Sequence, residues 1–257
     1  MKQVNLDDLM QYKATVQGGN QFLTLPGPEA ILSPVFAKLG GKVKHYNCYV
    51  QEPNRKAADV NNGEVTAAYQ YADRVLVEAV LDDDLQVFGT DRYETVIGII
   101  YAHDINRPVI KAYLGFENQA CLNLSVFNPL DITAKDFAAT DFSTIYDNID
   151  VYLASVQQRK LQLQEAVRFL SEEKLSGDKL KEVIGDVAVK AHTSIAMKTH
   201  FSAMMDHVFK STGKYYSPQG EHTRYNLYQA FTHTISKDRE VSLARPDKVL
   251  EAYNFFN

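Results

Sequence analysis

Near its middle this chain changes the period at which its apolar residues recur, and that change limits the folds open to it. Up to Phe127 apolar and polar side chains alternate in short runs; after Asn128 and Pro129 they recur about every 3.6 residues. Alternation marks a strand with one buried face, and the longer period marks an amphipathic helix. A block of strands followed by a block of helices gives an α+β fold rather than an alternating α/β one. The pattern predicts a mostly antiparallel sheet in the N-terminal half and a helical C-terminal half with one long helix. Residues 1–130 make the strand-rich sheet region and residues 131–257 a helical region packed on it, together one integrated domain.

Within the first region, residues 1–28 read as a polar lead-in, and a short helix follows from Glu29. It is expected to break or bend near Pro34 and to stop at Gly40 and Gly41. Strands are expected at Val43 to Val50, Val75 to Leu81, Thr95 to Ala102, Val109 to Phe116 and Ala120 to Phe127. Asp82, Asp83 and Asp84 read as a turn leading into a further strand through Val87, Phe88 and Gly89. In the strand from Val109, Ile110, Ala112, Leu114 and Phe116 share one side while Lys111 and Tyr113 occupy the other. Short connections favour antiparallel pairing, with one face of the sheet covered.

The apolar series Ile145, Ile149, Tyr152, Val156, Leu163, Val167 and Leu170 predicts one long helix from Asp141, interrupted only by Lys160. Roughly thirty residues at 1.5 Å each reach on the order of 45 Å, longer than the sheet such a helix could cover. The excess implies packing on other helices or on another subunit. Gly177 ends it, with Asp178 capping the next helix through Ala191. Met197, Phe201, Met204 and Val208 predict another helix, and Ser211 to Gly220 a loop. Arg224 to Ile235 form a helix burying Leu227, Tyr228, Phe231 and Ile235, with Asn226, Gln229 and His233 on its polar side; Pro246 opens a last short helix.

The 257 residues, 45% hydrophobic, suffice for one large core, so disorder is not expected. The longest apolar run, Val96 to Ala102, is too short to span a bilayer, and the polar start up to Asp7 and Asp8 is not a signal peptide. The expected location is the cytoplasm, with no membrane partner. Cys48 and Cys121 stand alone in strand-like sequence, which excludes a zinc knuckle or a disulfide framework by count. A net charge of −5 argues against coating duplex nucleic acid by bulk electrostatics. Residues 187–237 are a local exception: six cations (Lys190, Lys198, Lys210, Lys214, Arg224, Lys237) face two acids (Asp206, Glu221), and five of the seven histidines lie there.

Several motifs are testable by spacing alone. His200 and His207 lie about 10 Å apart along a helix, too far to share one metal, so these histidines read as solvated or core-edge groups. Asp91, Glu94 and Asp104, with the run Asp82 to Asp84, could gather carboxylates around Mg²⁺, but acids in a turn usually just face water. Lys214 follows Gly213 without the second glycine or the hydroxyl residue of a phosphate loop, and no nucleophile elbow or zinc-protease helix appears. No catalytic residue, metal or cofactor is therefore expected. Tyr215, Tyr216, Tyr225 and Tyr228 interleave with the cations, the mixture that a single-strand binder uses to hold phosphates and stack bases. Ordinary amphipathic helices show the same mixture.

Two segments, Ile100-Tyr-Ala-His103-Asp104 with the runs Ala112 to Phe116 and Cys121-Leu-Asn123, and Arg224 to His233, resemble a phage- and plasmid-encoded family of unknown function, the phage/plasmid-like proteins. That family has a similar His-Asp turn, a Cys-x-Asn-Gly run and an aromatic-rich late helix. Here Leu124 replaces the glycine and Tyr225 a frequent Trp. The order of short helix, strands and long helix is also similar to phage single-strand annealing proteins. These resemblances imply a phage or mobile-element DNA-metabolism protein that binds single-stranded DNA for annealing or recombination, as a homo-oligomer. The expected contacts are Arg92, Lys111 and Tyr113 on the sheet's polar side, with Lys198, Lys214, Tyr215 and Arg224 in the helical part. Alternatives are a non-enzymatic assembly or host-interaction protein using the long helix, and a metal-dependent nuclease in which Asp91 and Asp104 converge.

Overall fold

The structure, a computed structural model, describes residues 2–12, 14–18, 21–25, 28–51, 59–61, 64–67, 74–86, 92–102, 109–118, 124–133, 143–192, 194–237 and 245–256. In chain order its elements are β1 (Lys2–Val4), α1 (Leu6–Met10), β2 (Ala14–Gly18), β3 (Gln21–Leu25), α2 (Pro28–Leu39), a 3-10 turn (Gly40–Lys42), β4 (Val43–Gln51), β5 (Asp59–Asn61), β6 (Glu64–Ala67), β7 (Arg74–Gln86), β8 (Arg92–Ala102), β9 (Val109–Asn118) and β10 (Leu124–Thr133). There follow α3 (Ser143–Glu172), β11 (Lys174–Leu175), α4 (Gly177–Ala191), α5 (Ile195–Phe209), β12 (His222–Thr223), α6 (Arg224–Lys237) and α7 (Arg245–Phe256). The fold is α+β, strands first and helices second.

Six strands pair antiparallel in the order β1-β4-β7-β8-β9-β10. The N-terminal stretch is not merely a polar lead-in: Lys2 to Val4 form an edge strand on β4, and α1 is capped by Asn5, whose Oδ1 accepts from the Asp8 N–H at 2.7 Å. Pro34 lies within α2 without ending it. The hydrogen bond it cannot make would go to the carbonyl of Ala30, an exposed residue whose carbonyl water can reach. Gly40 takes the left-handed φ of +53° that stops the helix where expected.

The three consecutive aspartates do not turn the chain. β7 runs straight through them to Gln86, with a register shift between Val80 and Asp84 against β8, which is a bulge rather than a hairpin. Residues 87–89 and Asp91 lie outside the described residues. The bulge places Asp83 against α3, where the Lys160 Nζ meets its Oδ2 at 2.7 Å. Lys160 thus breaks the apolar stripe of α3 because it is the residue that reaches the sheet.

Both faces of the central sheet are buried, not one. Val75, Val77, Ala79, Leu81, Ile97, Ile99, Ala112 and Leu114 belong to a core with Leu9 of α1, Ile31, Leu32 and Val35 of α2, and Ile149, Tyr152 and Val156 of α3. Leu76, Ile100 and Tyr113 point the other way and join a second core containing α4 to α7. Each fully buried Leu, Ile, Val or Phe adds about 1.5–3 kcal/mol relative to exposure. The 30 residues of α3 serve both cores, since Leu163, Val167 and Leu170 from its second half sit in the second. Its end comes at Glu172, before Gly177; Ser176 occupies the cap position of α4 and Asp178 its first turn.

Candidate nucleic-acid interface

The surface in question forms where α5, the loop after it and the start of α6 meet. α5 begins at Ser194, whose Oγ accepts from the Met197 N–H at 3.1 Å, and it buries Met197, His200, Met204 and Val208. Lys198 is left on its exposed side. After Lys210 the loop folds back on the helix: the Gly213 N–H donates to the Lys210 carbonyl at 2.7 Å and the Tyr215 N–H to the His207 carbonyl at 3.1 Å. Only glycine fits at 213, because a Cβ there would stand 2.3 Å from the His207 carbonyl oxygen. The fold-back displays Lys214 in solvent, with its Nζ 5.8 Å from the centre of the Tyr215 ring.

α6 opens on a reciprocal cap. The Asn226 Oδ1 accepts from the Thr223 N–H at 3.2 Å, and the Thr223 Oγ1 accepts from the Asn226 N–H at 3.1 Å. Its polar side is largely interior. Gln229 is buried and its Nε2 donates to the hydroxyls of Tyr93 (2.7 Å) and Tyr225 (2.8 Å), which are themselves 2.7 Å apart. This neutral network joins the start of β8 to α6. His222 on β12 is buried against Phe209, and burial holds its imidazole below the usual histidine range.

The seven contacts expected from sequence are not one surface. Lys111 is 6% exposed and Tyr113 0%, so neither reaches a nucleic acid as expected. The alternation along β9 was read correctly, but the polar side is covered, and Tyr113 lies over Gly98 with its hydroxyl donating to the Glu78 Oε1 at 2.7 Å. Arg92 is exposed at the start of β8, beside the Tyr93 that touches α6. Arg224 is tied to Glu173, its Nε 3.4 Å from Oε2. Lys198 and Lys214 are exposed and have no ion pair among the described residues, while Tyr215 is half-buried. Of the other cations there, Lys210 pairs with Asp206 at 2.7 Å and Lys190 donates to the Phe255 carbonyl at 3.2 Å.

Sequence reasoning passed over Phe209. It is 43% exposed at the end of α5, and Tyr216, across the loop, is 40% exposed. The signal was available: a phenylalanine beside a lysine at a helix end, before a Ser-Thr-Gly turn, has little room to be buried. The carboxylates are less suggestive. Glu94 receives the Lys44 Nζ at 2.7 Å, Asp91 and Asp104 lie outside the described residues, and among the described residues no three His, Cys, Asp or Glu side chains gather as metal ligands would. Cys48 is a buried free thiol that burial pushes up to about 11, and Cys121 falls outside the described residues. Among the described residues no helix is long and apolar enough to cross a membrane. No family model, curated protein or solved structure matches this chain.

Proposed function

We propose that this protein binds single-stranded nucleic acid through the surface of α5, the loop to Gly220 and the start of α6. The observation that carries the reading is that the end of α5 and the loop after it, held by Gly213, expose two aromatic rings, Phe209 and Tyr216, and Lys214, which makes no ion pair among the described residues. Rings of this kind stack bases at about 1–3 kcal/mol each, and lysines hold the phosphates between them. Lys198 and Arg224 extend the cationic surface, and Arg92 supplies a further contact from the sheet. Lys111 and Tyr113 are no part of it. In the setting that the resemblance implies, the protein is an oligomeric phage or mobile-element protein of DNA metabolism acting in annealing or recombination, with no cofactor.

A second reading, a non-enzymatic assembly or host-interaction protein, has its own support. Val151, Leu161 and Phe169 are exposed along α3. One experiment separates the two: anisotropy of fluorescent single- and double-stranded oligonucleotides across a salt series, with the mass of the protein followed by light scattering. Single-strand affinity that falls with salt, and that drops at least tenfold in the double variant Lys198→Glu, Lys214→Glu, supports the first reading. Absence of binding at low salt moves the assignment to α3.

A further inference from the structure

The 30-residue α3 carries a second stripe, which faces solvent. Val151, Ala154, Gln158, Leu161, Glu165 and Phe169 recur every three or four residues and are all exposed, on the side of the helix opposite the buried Ile149, Val156, Lys160, Leu163 and Val167. Three of the six are large and apolar: Val151 is 59% exposed, Leu161 62% and Phe169 58%. Such a spacing on the outer side of a helix already seated on its core is a seam for another helix. We infer that a second copy of this chain occupies it, the two α3 helices lying antiparallel about a two-fold axis near Lys160. Nucleic-acid binding neither uses this stripe nor requires it.

The stripe fits its own reverse, which a foreign helix would not require and a two-fold pair does. Val151 and Phe169 are five full turns apart, so they share one side of the helix at a separation of about 27 Å. Reversing one copy sets Phe169 against the smaller Val151, passes the Glu165 side chain over Ala154, the smallest member, and lays Leu161 on Gln158 beside the axis. The two Glu165 carboxylates then stand on either side of the axis, about 15 Å apart along it. A parallel pair would instead press Glu165 on Glu165, so charge decides the direction. The like-charge meeting that remains, Asp147 with Glu172 at each end, has Arg168 beside it, 3.6 Å from Glu172. An overlap of this length buries on the order of 1,000 Å² in all, the lower end for a specific interface, so the dimer is reversible and depends on concentration.

The test is sedimentation velocity of the full chain, free of nucleic acid, from about 2 to 200 µM. The mass should climb from 29.0 kDa towards twice that value. The double variant Leu161→Glu, Phe169→Glu changes two exposed positions and should keep the monomer mass throughout. A monomer at the highest concentration, or a dimer that the double variant retains, would overturn the inference and leave the surface of α5 and α6 untouched. Direction is read by a short bismaleimide cross-linker in a Cys48→Ala, Cys121→Ser background. An equal mixture of Val151→Cys and Phe169→Cys chains should cross-link as the mixed dimer, several-fold more than Val151→Cys chains alone. A Val151→Cys homodimer in equal or greater yield would overturn the antiparallel pairing.

Discussion

The two faces of the central sheet are equally dry but are built of different material. On the side of α1, α2 and the first half of α3 the residues that face each other across the middle of the sheet are aliphatic, Val77, Ile97, Ile99 and Leu114 against Ile31, Leu32, Val35 and Ile149, with Tyr12 and Tyr152 also in this core. On the other side Glu78, Lys111 and Tyr113 are interior, with Tyr113 laid over Gly98 and bonded to Glu78. The first face draws its stability from area, which tolerates small shifts of shape. The second depends on one tyrosine fitting one gap and ending on one carboxylate, so it specifies which residues of β7, β8 and β9 stand abreast.

The difference can be broken experimentally. The largest effect is expected on the aliphatic face, where Leu114→Ala should cost about 2–5 kcal/mol in urea unfolding, because its neighbours cannot fully collapse into the cavity. Next comes Gly98→Ala, whose Cβ would stand 2.0 Å from the Tyr113 Cζ, at about 1–3 kcal/mol. In a Tyr113→Ala background that cost should shrink; strict additivity of the two changes would show that ring and glycine do not compete for one space. Tyr113→Phe is expected to cost about 1–3 kcal/mol by removing the hydroxyl that the buried Glu78 accepts from. A cost near zero would reduce the second face to the same material as the first.

The smallest effect is one of pH. Burial holds the Cys48 thiol up to about 11, and Tyr46 beside it is raised as well, by burial and then by Cys48. An unfolded thiol ionises near about 8.5, so between that value and 11 the folded chain binds more protons than the unfolded one. The contribution of Cys48 is therefore present below pH 8 and falls as pH rises. The urea midpoint should drop less between pH 8 and pH 10 in Cys48→Ala than in the parent protein. An identical drop in both would mean that the thiol is not dry.

Much of this architecture was legible because period is a local property. Strands near Val43, Thr95 and Val109, the start of α3 within two residues of Asp141, the spans of α5 and α6 and the glycine stop of α2 all follow from spacing along one segment. What could not be read depends on partners distant in sequence. Lys111 and Tyr113 have the alternation of a solvent-facing pair, and nothing in β9 shows that this side is covered. Asp82 to Asp84 carry turn chemistry, yet the pairing of β7 with β8 and the reach of Lys160 hold them in a bulge. The candidate site was half legible: composition marked Lys198, Lys214 and Arg224, but not that Glu173, fifty-one positions before Arg224, would engage it.

The long helix has a consequence for how the molecule comes apart. Ile149, Tyr152 and Val156 of α3 are seated in one core and Leu163, Val167 and Leu170 in the other, with Lys160 fastened to the sheet between them. A rod clamped at both ends cannot release one core without fraying the support of its neighbour. Heat or denaturant is therefore expected to loosen both cores together, damage to either being passed along about 45 Å of helix.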